Sequence, residues 1–448
     1  MISGLLQYSL ERVSSLEHFY NEEYKSIETK SRKGEKINRI GYIADLYMGV
    51  LSSDPSEEEL EEFKWLKEQV EKYLELEIES SEGKMTRFRY KYKDKETLKK
   101  QGYELDISKA AEAYRKYSDM PVIHGSNTLI MLITRFEEFI SNLLSKVYLL
   151  YPQKYLDKQQ ISFSEIANCG IDEVRKKIVY REVDAIMRQS YTEWFKLFES
   201  HGLKFDSCKE ELESLKEIYA RRNILVHNAG VVNDIYLKNV PTAIVAKGDH
   251  LYATNAYLKG AFQTIRIIIF TIMLEAVRFI KEDKDEYLYS IFEIAFELLK
   301  AKQYILSKHV FNALKNHKDA TDDTRKLSQV NYWLSVKGID GPKAILKEVR
   351  DFDVSALNRR FLLAKLILLE DYTKATVLIS DMYKKDEIGV SALKDWPLFD
   401  EYRQTEEYAE FKAEHHSDFT TAEIEFGAKG IDSNEEASGN CENVELAV

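Results

Sequence analysis

Turn-forming residues are scarce in this sequence. Only 6 of its 448 residues are proline and 18 are glycine. Because both residues break helices and form the tight turns between short strands, their scarcity argues against an all-β protein and favours long helices. The length suggests two to four domains, with a core large enough to need no disulfide or metal for stability.

Cysteine and positive charge are also in short supply. The 3 cysteines are an odd number and form no CxxC pair, so they indicate reduced thiols rather than a disulfide framework or a zinc site. The formal net charge is −12. This charge argues against a uniformly basic surface for nucleic acid, although it leaves room for a local basic groove.

No hydrophobic run is long enough for an unambiguous membrane span. The most apolar stretch, 261–277, is short for a span and contains Arg266 and Glu275. The N-terminal residues lack the charged start and apolar block of a signal peptide. We therefore expect a buried core helix at 257–280 and a cytoplasmic protein without a membrane partner.

What is present is helical periodicity. We expect an all-α fold with minor β structure in four regions: a mainly helical region with a short basic strand at 1–120, a helical domain at 121–283, helical hairpins at 284–416 and a disordered tail at 417–448. The tail contains eight acidic residues and one lysine. The segment at 392–415 is similar to the ends of tetratricopeptide-like repeats.

Several elements can be predicted from spacing. One helix is expected from Ser56 through about 78, and another from a Ser126 cap to 151, with an apolar seam at alternating three- and four-residue spacing. Helices are also expected at 172–199 and 208–227, and a hairpin at 243–254 with its turn near Gly248. The seam of the second helix consists of Leu129, Leu132, Phe136, Phe139, Leu143 and Val147.

A basic strip breaks the helical pattern at 84–95. Basic and mainly aromatic residues alternate there, which predicts a strand with a basic face. Two interpretations stay open: a charged edge strand that resists aggregation, or a strip that contacts RNA phosphates while its aromatic residues stack on bases. The basic residues in question are Arg87, Arg89, Lys91 and Lys93.

The residues most suggestive of chemistry lie at 211–230. Arg222 falls on the same stripe as Leu215 and Tyr219, and a buried guanidinium needs a partner or a bound anion. His227 follows five residues later, which on a regular helix turns it about 140° away from Arg222. Asn228-Ala229-Gly230 is typical of a helix stop, so we expect His227 at a frayed end, free to turn.

This segment resembles a known family. Arg222-Asn223-Ile224-Leu225-Val226-His227 is similar to the R-N-x-x-x-H signature of the HEPN domains, which occur in toxins, antiphage abortive-infection proteins and RNA-processing enzymes. The resemblance covers roughly residues 120–280, including the long helix before the motif and the apolar helix after it.

The resemblance implies a metal-independent endoribonuclease that needs no cofactor. Histidine can act as base or acid near neutral pH, and the Arg222 guanidinium would stabilise the phosphorane. Asn223 would position Arg222. Arg221 and Asn228 are weaker candidates for contacts with RNA. Family members combine two motifs in a composite site, and this chain contains one, so a homodimer is expected.

Alternatives remain at this point. Arg222 and His227 could satisfy each other or a carboxylate such as Glu137 or Glu138, in a non-catalytic scaffold or sensor that binds a protein or RNA partner. The C-terminal hairpins could hold a nuclease inactive or receive a protein trigger. An RNA-binding protein without catalysis, acting through 87–95, is a third possibility.

Overall fold

A computed structural model describes residues 2–33, 74–81, 84–92, 107–156, 163–281, 283–416 and 419. The fold is all-α with minor β structure, as the sequence predicts. The predictions for the start of the helix at Ser56, for Lys93 and for most of the acidic tail lie outside these residues. Two cysteines that are described, exposed Cys169 and buried Cys208, are free thiols.

Helices carry almost all of the described chain. The long helix α1 spans Ser3–Lys33, and the helices before the motif are α2 (Ile107–Leu150), α3 (Pro152–Tyr155), α4 (Phe163–Cys169), α5 (Ile171–Met187) and α6 (Tyr191–Ser200). The motif lies on α7 (Lys209–His227), which is followed by α8 (Asp234–Asn239) and α9 (Asn255–Glu275). The C-terminal helices are α10 (Lys284–Lys300), α11 (Tyr304–Leu314), α12 (Asp322–Asp340), α13 (Leu346–Asp351), α14 (Arg359–Leu368), α15 (Tyr372–Lys384), α16 (Val390–Asp395) and α17 (Glu406–Glu414).

The basic strip forms the predicted strand, but with an acidic partner. Strand β2 (Lys84–Tyr92) pairs in antiparallel fashion with β1 (Leu74–Ser81). Residues opposite each other in such a pair share one face of the sheet. Three basic positions of β2 therefore stand opposite three glutamates of β1, in the pairs Arg87–Glu79, Arg89–Glu77 and Lys91–Glu75.

The pairing corrects one prediction. The helix expected through residue 78 is wrong from Leu74 onward, because alternation in LELEIES matches the pleat of a strand. The two interpretations of the basic strip, a charged edge strand and a contact with RNA phosphates, stay predictions.

The long helix α2 contains the predicted seam. All six seam residues are at most 2% exposed, as expected for a stripe that faces the core. The predicted Ser126 cap is wrong, because α2 begins at Ile107 and runs through Pro121. The Ser126 signal failed because the same residue type occurs at caps and inside helices that packing holds together.

Two compact units can be distinguished among the described residues. One consists of those within Met1–Tyr8, Ser141–Glu211 and Arg266–Val448, and the other of those within Ser9–Ile140 and Leu212–Ile265. The motif residues belong to the second unit. The dividing points fall inside α1, α2, α7 and α9, so the boundaries predicted at 120 and 283 remain predictions.

The apolar helix α9 is a core helix. It and the following 3₁₀ turn, Ala276–Phe279, are together long and apolar enough to cross a membrane, yet 78% of their most apolar stretch is buried within the protein. Among the described residues this is the one helix of that kind. Burial by the protein's own side chains agrees with the predicted core helix.

The C-terminal region forms helical hairpins. Helices α10 and α11 are joined by the three residues 301–303, and α14 and α15 by 369–371. Gly338 of α12 lies so close to α11 that a Cβ atom would stand 2.7 Å from the Tyr304 ring. Phe419, inside the tail predicted to be disordered, is buried and contacts Tyr408 and Phe411.

The stretch at 172–199, predicted as one helix, is two. Helix α5 ends at Met187 and α6 begins at Tyr191, with Ser190 in an extended conformation between them. The Trp194 indole donates to Ile186 O at 2.8 Å across this corner. Because the apolar spacing continues through the break, periodicity alone could not reveal it.

Candidate active site

Helix α7 positions the motif, and its buried face shares only Leu215 with the predicted stripe. Its buried side chains are Leu215, Ile218, Ala220 and Ile224. Arg222 is half-buried, and Val226 is 44% exposed. The guanidinium of Arg222 therefore lies at the edge of the packed face and not inside an apolar seam.

The end of α7 is closed by a defined turn. Ile224 O accepts hydrogen bonds from both Asn228 N, at 2.8 Å, and Gly230 N, at 2.9 Å. Ala229 and Gly230 have φ values of 50° and 80°, and a Cβ atom on Gly230 would approach Leu251 O to 2.8 Å. The predicted helix stop is confirmed. The predicted fraying is not, since α7 is helical through His227.

The segment at 243–254 pairs with the residues that follow the motif. Gly248 has a φ of 95°, so the predicted turn near it is confirmed. The expected hairpin is wrong, because this segment bonds to the residues that follow α7. Asp249 O accepts from Val232 N at 2.8 Å, and Leu251 N donates to Gly230 O at 2.9 Å. These bonds fix the chain after His227.

The Arg222 guanidinium has a donor that is not used in the described part of the chain. Its Nη1 donates to Asn223 Oδ1 at 3.2 Å. Its Nε is buried and has no hydrogen-bond partner among the described residues. A buried guanidinium N–H without an acceptor is costly, and an anion placed beside it would remove that cost.

Asn223, Val226 and His227 form an exposed face of α7. All three are exposed, and residues three or four apart are neighbours on a helix surface. Arg222 and His227 diverge by about 140° on this regular helix. The bond from Arg222 to Asn223 holds the guanidinium on the side where Asn223 and His227 stand. We name Asn223, Val226 and His227 the open face.

Arg221, the neighbour of Arg222, is held by hydrogen bonds and by an aromatic ring within the protein. Its Nε donates to Glu217 Oε1 at 2.7 Å and its Nη1 to Tyr252 O at 2.9 Å. Its guanidinium carbon lies 3.9 Å from the centre of the Tyr257 ring, and the side chain is only 15% exposed. These contacts argue against the predicted RNA contact for Arg221.

Glu217 is the centre of this cluster. Besides Arg221, it accepts from Tyr236 Oη at 2.8 Å and from Tyr257 Oη at 2.7 Å. Burial, and then the Glu217 charge, raises the pKa of Tyr236 to about 12 and that of Tyr257 well above its ordinary value. Both phenols therefore stay protonated donors. We name Glu217, Arg221, Tyr236 and Tyr257 the anchor cluster.

The anchor cluster was missed in the sequence. The one signal was the spacing of Glu217 and Arg221, four residues apart on a helix, which is the spacing of an ion pair. Nothing in the sequence identified Tyr236 or Tyr257 as partners, because they come from other elements. The cluster holds α7 against α8 and the start of α9.

Asn228 is also used by the fold. Its side-chain amide donates to Val231 O at 2.6 Å, across the turn after α7. That bond favours a structural role for Asn228 over the predicted RNA contact. Asn223 accepts a hydrogen bond from Arg222 through Oδ1, and its side chain is exposed on the open face.

Glu137 of α2 lies on the Arg222 side of α7. Burial raises the pKa of Glu137, while the Arg222 charge and a hydrogen bond from Tyr219 act in the opposite direction. The Tyr219 hydroxyl donates to Glu137 Oε1 at 3.4 Å, which is a long bond. Glu138 forms ion pairs with Arg135, at 3.0 Å, and Arg12, at 3.6 Å.

No group of three or more His, Cys, Asp or Glu that could hold a metal ion occurs among the described residues. Comparisons of this chain with models of protein families, with curated proteins and with solved structures found no match. The resemblance to HEPN domains accordingly rests on residues 222–227 and on the helices around them.

Proposed function

We propose that this protein is a metal-independent endoribonuclease that acts in antiphage defence, as a toxin or in a stress response. The observation that carries the proposal is the state of Arg222, which is half-buried and bonded to Asn223 on the open face, and whose buried Nε lacks an acceptor among the described residues. Such a guanidinium is prepared for an anion, and its fork matches two oxygens of a phosphate.

The reaction needs three groups. A base removes the proton from the ribose 2′-OH, whose oxygen then attacks phosphorus. The bond from phosphorus to the 5′-oxygen breaks, and an acid protonates the leaving oxygen. The products carry a 2′,3′-cyclic phosphate and a 5′-OH. Imidazole serves as base or acid, and a guanidinium stabilises the extra negative charge of the phosphorane.

A single chain supplies one exposed His227, and its direction differs from that of Arg222 on the regular helix. We therefore propose that two copies pack around a two-fold axis through their open faces. Val226, 44% exposed, provides an apolar contact at the centre of that face. Each copy would bring one imidazole and one guanidinium to a shared groove, which gives a base, an acid and two cations.

The test is cleavage of cellular RNA and growth arrest on expression of the full chain. Wild type is compared with Arg222→Ala and His227→Ala, each at equal protein level. The matched controls are Arg188→Ala and His18→Ala, since both residues are exposed and lie outside the motif, Arg188 directly after α5 and His18 on α1. We expect the two motif variants alone to lose activity, and EDTA to have no effect. Equal activity in all variants would refute the proposal.

The divergence of Arg222 and His227 favours a second candidate, a non-catalytic dimerising scaffold or sensor for a protein or RNA partner. In that case the motif variants keep partner binding, and no RNA is cut by wild type. Pull-down of partners by wild type and His227→Ala, in parallel with the cleavage assay, separates the two functions.

A further inference from the structure

A cleft lies between the C-terminal helices, away from the motif in sequence. Its volume is about 490 Å³, which is the size of a small-molecule site. Cations, carboxylates and aromatic rings line it together. The lining residues are Lys315, Asp322, Arg325, Lys326, Gln329, Trp333, Glu348, Asp351 and Phe352.

Part of this lining is already paired. Asp322 forms ion pairs with Lys326 and, at 3.6 Å, with Arg325. Arg325 also donates to Ala320 O at 3.1 Å. The Trp333 indole donates to Glu348 Oε2 at 2.8 Å. These contacts hold the walls of the cleft and need no ligand.

Two donors in the cleft lack acceptors. The Lys315 ammonium lies 3.5 Å from the centre of the Tyr332 ring, and it has no hydrogen-bond acceptor among the described residues. Burial lowers the pKa of Lys315, an effect that the Glu348 charge opposes. Gln329 Nε2 is buried and has no partner in the described part of the chain. Buried donors are normally satisfied.

We propose that this cleft binds a small anion, a molecule with a phosphate or carboxylate group that accepts hydrogen bonds from Lys315 and Gln329. The half-buried ring of Phe352, which packs edge-on against Trp333 at 5.2 Å, provides a surface for a flat apolar body. The carboxylates of Glu348 and Asp351 in the same cleft disfavour a polyanion such as RNA. This site is independent of the proposed nuclease site.

The test uses the full chain labelled with 5-fluorotryptophan. The chain has 4 tryptophans, and the ¹⁹F resonance of Trp333 is assigned with Trp333→Phe. Phenyl phosphate and benzoate are titrated as probes that share a ring and differ in the anion. Benzyl alcohol tests the ring without an anion, and inorganic phosphate tests the anion without a ring.

We expect a saturable shift of the Trp333 resonance with phenyl phosphate, benzoate or both, and none with benzyl alcohol. Lys315→Met and Gln329→Glu should each weaken binding by about tenfold or more, since each loses a charge-assisted hydrogen bond or adds repulsion. Lys318→Met is the matched control, because Lys318 is exposed nearby and does not line the cleft.

Two results would overturn the proposal. One is the absence of any Trp333 shift at probe concentrations of about 10 mM, an affinity limit weaker than that of any specific site. The other is equal binding by wild type and Gln329→Glu, a variant that keeps the size of the side chain. Thermal unfolding of each variant is measured first. If Lys315→Met or Gln329→Glu has a lowered Tm, the other of these two variants is used for the comparison.

Discussion

The two sides of helix α7 differ in how completely their charges are satisfied. In the anchor cluster, Glu217 accepts three hydrogen bonds and Arg221 is held by a carboxylate, a carbonyl and a ring. One residue further along the chain, Arg222 has one side-chain hydrogen bond in the described part of the chain, to Asn223, and its buried Nε has no partner there. Adjacent arginines on one helix thus have opposite surroundings.

This difference distinguishes residues that stabilise the fold from residues that are available to a ligand. A fully bonded charge rigidifies the fold and has nothing left for a ligand. A charge with free donors costs stability, and such a cost is typical of functional sites. We infer that the anchor cluster fixes the orientation of α7, while the open face and Arg222 are available to RNA. Substitutions on the two sides should therefore differ in kind.

The largest effect is expected on activity from the Arg222 side. Arg222→Ala and His227→Ala should each reduce RNA cleavage by about 10²-fold or more, since acid–base and charge-stabilising groups contribute that much. Both should lower stability less than a substitution in the anchor cluster, because His227 is exposed and Arg222 has one side-chain hydrogen bond among the described residues besides its attraction to Glu137. Cleavage rates check the expected loss of activity, and denaturant unfolding of the same samples checks the expected stability. A large loss of stability in Arg222→Ala would show that Arg222 stabilises the fold as the anchor cluster does, and would contradict the comparison.

The next largest effect is expected on stability, from a substitution in the anchor cluster. Glu217→Ala should lower the free energy of unfolding by about 3 kcal/mol, because it strands the Arg221 guanidinium, which is 15% exposed. Glu213→Ala, one turn earlier, is the matched control. Glu213 is exposed and forms an exposed ion pair with Lys216, so its loss should cost less than about 0.5 kcal/mol. Equal unfolding midpoints for the two variants would contradict the structural role of the cluster.

A third comparison concerns assembly. Val226→Glu places a charge at the centre of the open face, and we expect it to weaken self-association and RNA cleavage by about tenfold each. Val377→Glu on α15 is the control, since Val377 is also exposed, at 69%, and lies away from the motif. Mass measurement by light scattering across a range of concentrations checks the first effect. If both valine variants associate like wild type, the proposed two-fold packing is wrong.

The smallest effect has the opposite sign. Burial raises the pKa of Glu137, so the folded state binds a proton more readily than the unfolded chain. Stability contributed by this group is present at acidic pH and is lost as pH rises through the raised value. Glu137→Gln should therefore stabilise the protein at neutral pH, by less than about 1 kcal/mol. Chemical unfolding at pH 4.5 and pH 7.5 checks this, and a variant less stable than wild type at pH 7.5 would contradict it.

The sequence predicted elements with long periodic apolar patterns. The seam of α2 and the core helix α9 are confirmed, because three- and four-residue spacing over many turns leaves one arrangement that buries it. The stop after His227 is confirmed as well, since Ala229 and Gly230 adopt positive φ. In these cases the pattern in neighbouring residues is enough to predict the local structure.

Tertiary choices were not predictable from one sequence. Strand β1 was expected to be helical because the residues before it have helical spacing, whereas its pairing with β2 stabilises the extended form. The segment at 243–254 was expected to pair with itself, yet it bonds to residues 230–232. Arg221 and Arg222 are the same residue type at adjacent positions, so their different roles depend on tyrosines from other elements.

The most direct measurement uses purified full-length protein and an RNA that wild type cuts at a mapped bond. The same RNA is made with a single 2′-deoxy nucleotide on the 5′ side of that bond, and products are analysed by mass spectrometry. The account predicts a 2′,3′-cyclic phosphate on the cut RNA, no cleavage of the deoxy substrate and no cleavage by His227→Ala. Cleavage of the deoxy substrate at the same bond, or undiminished cutting by His227→Ala, would contradict it.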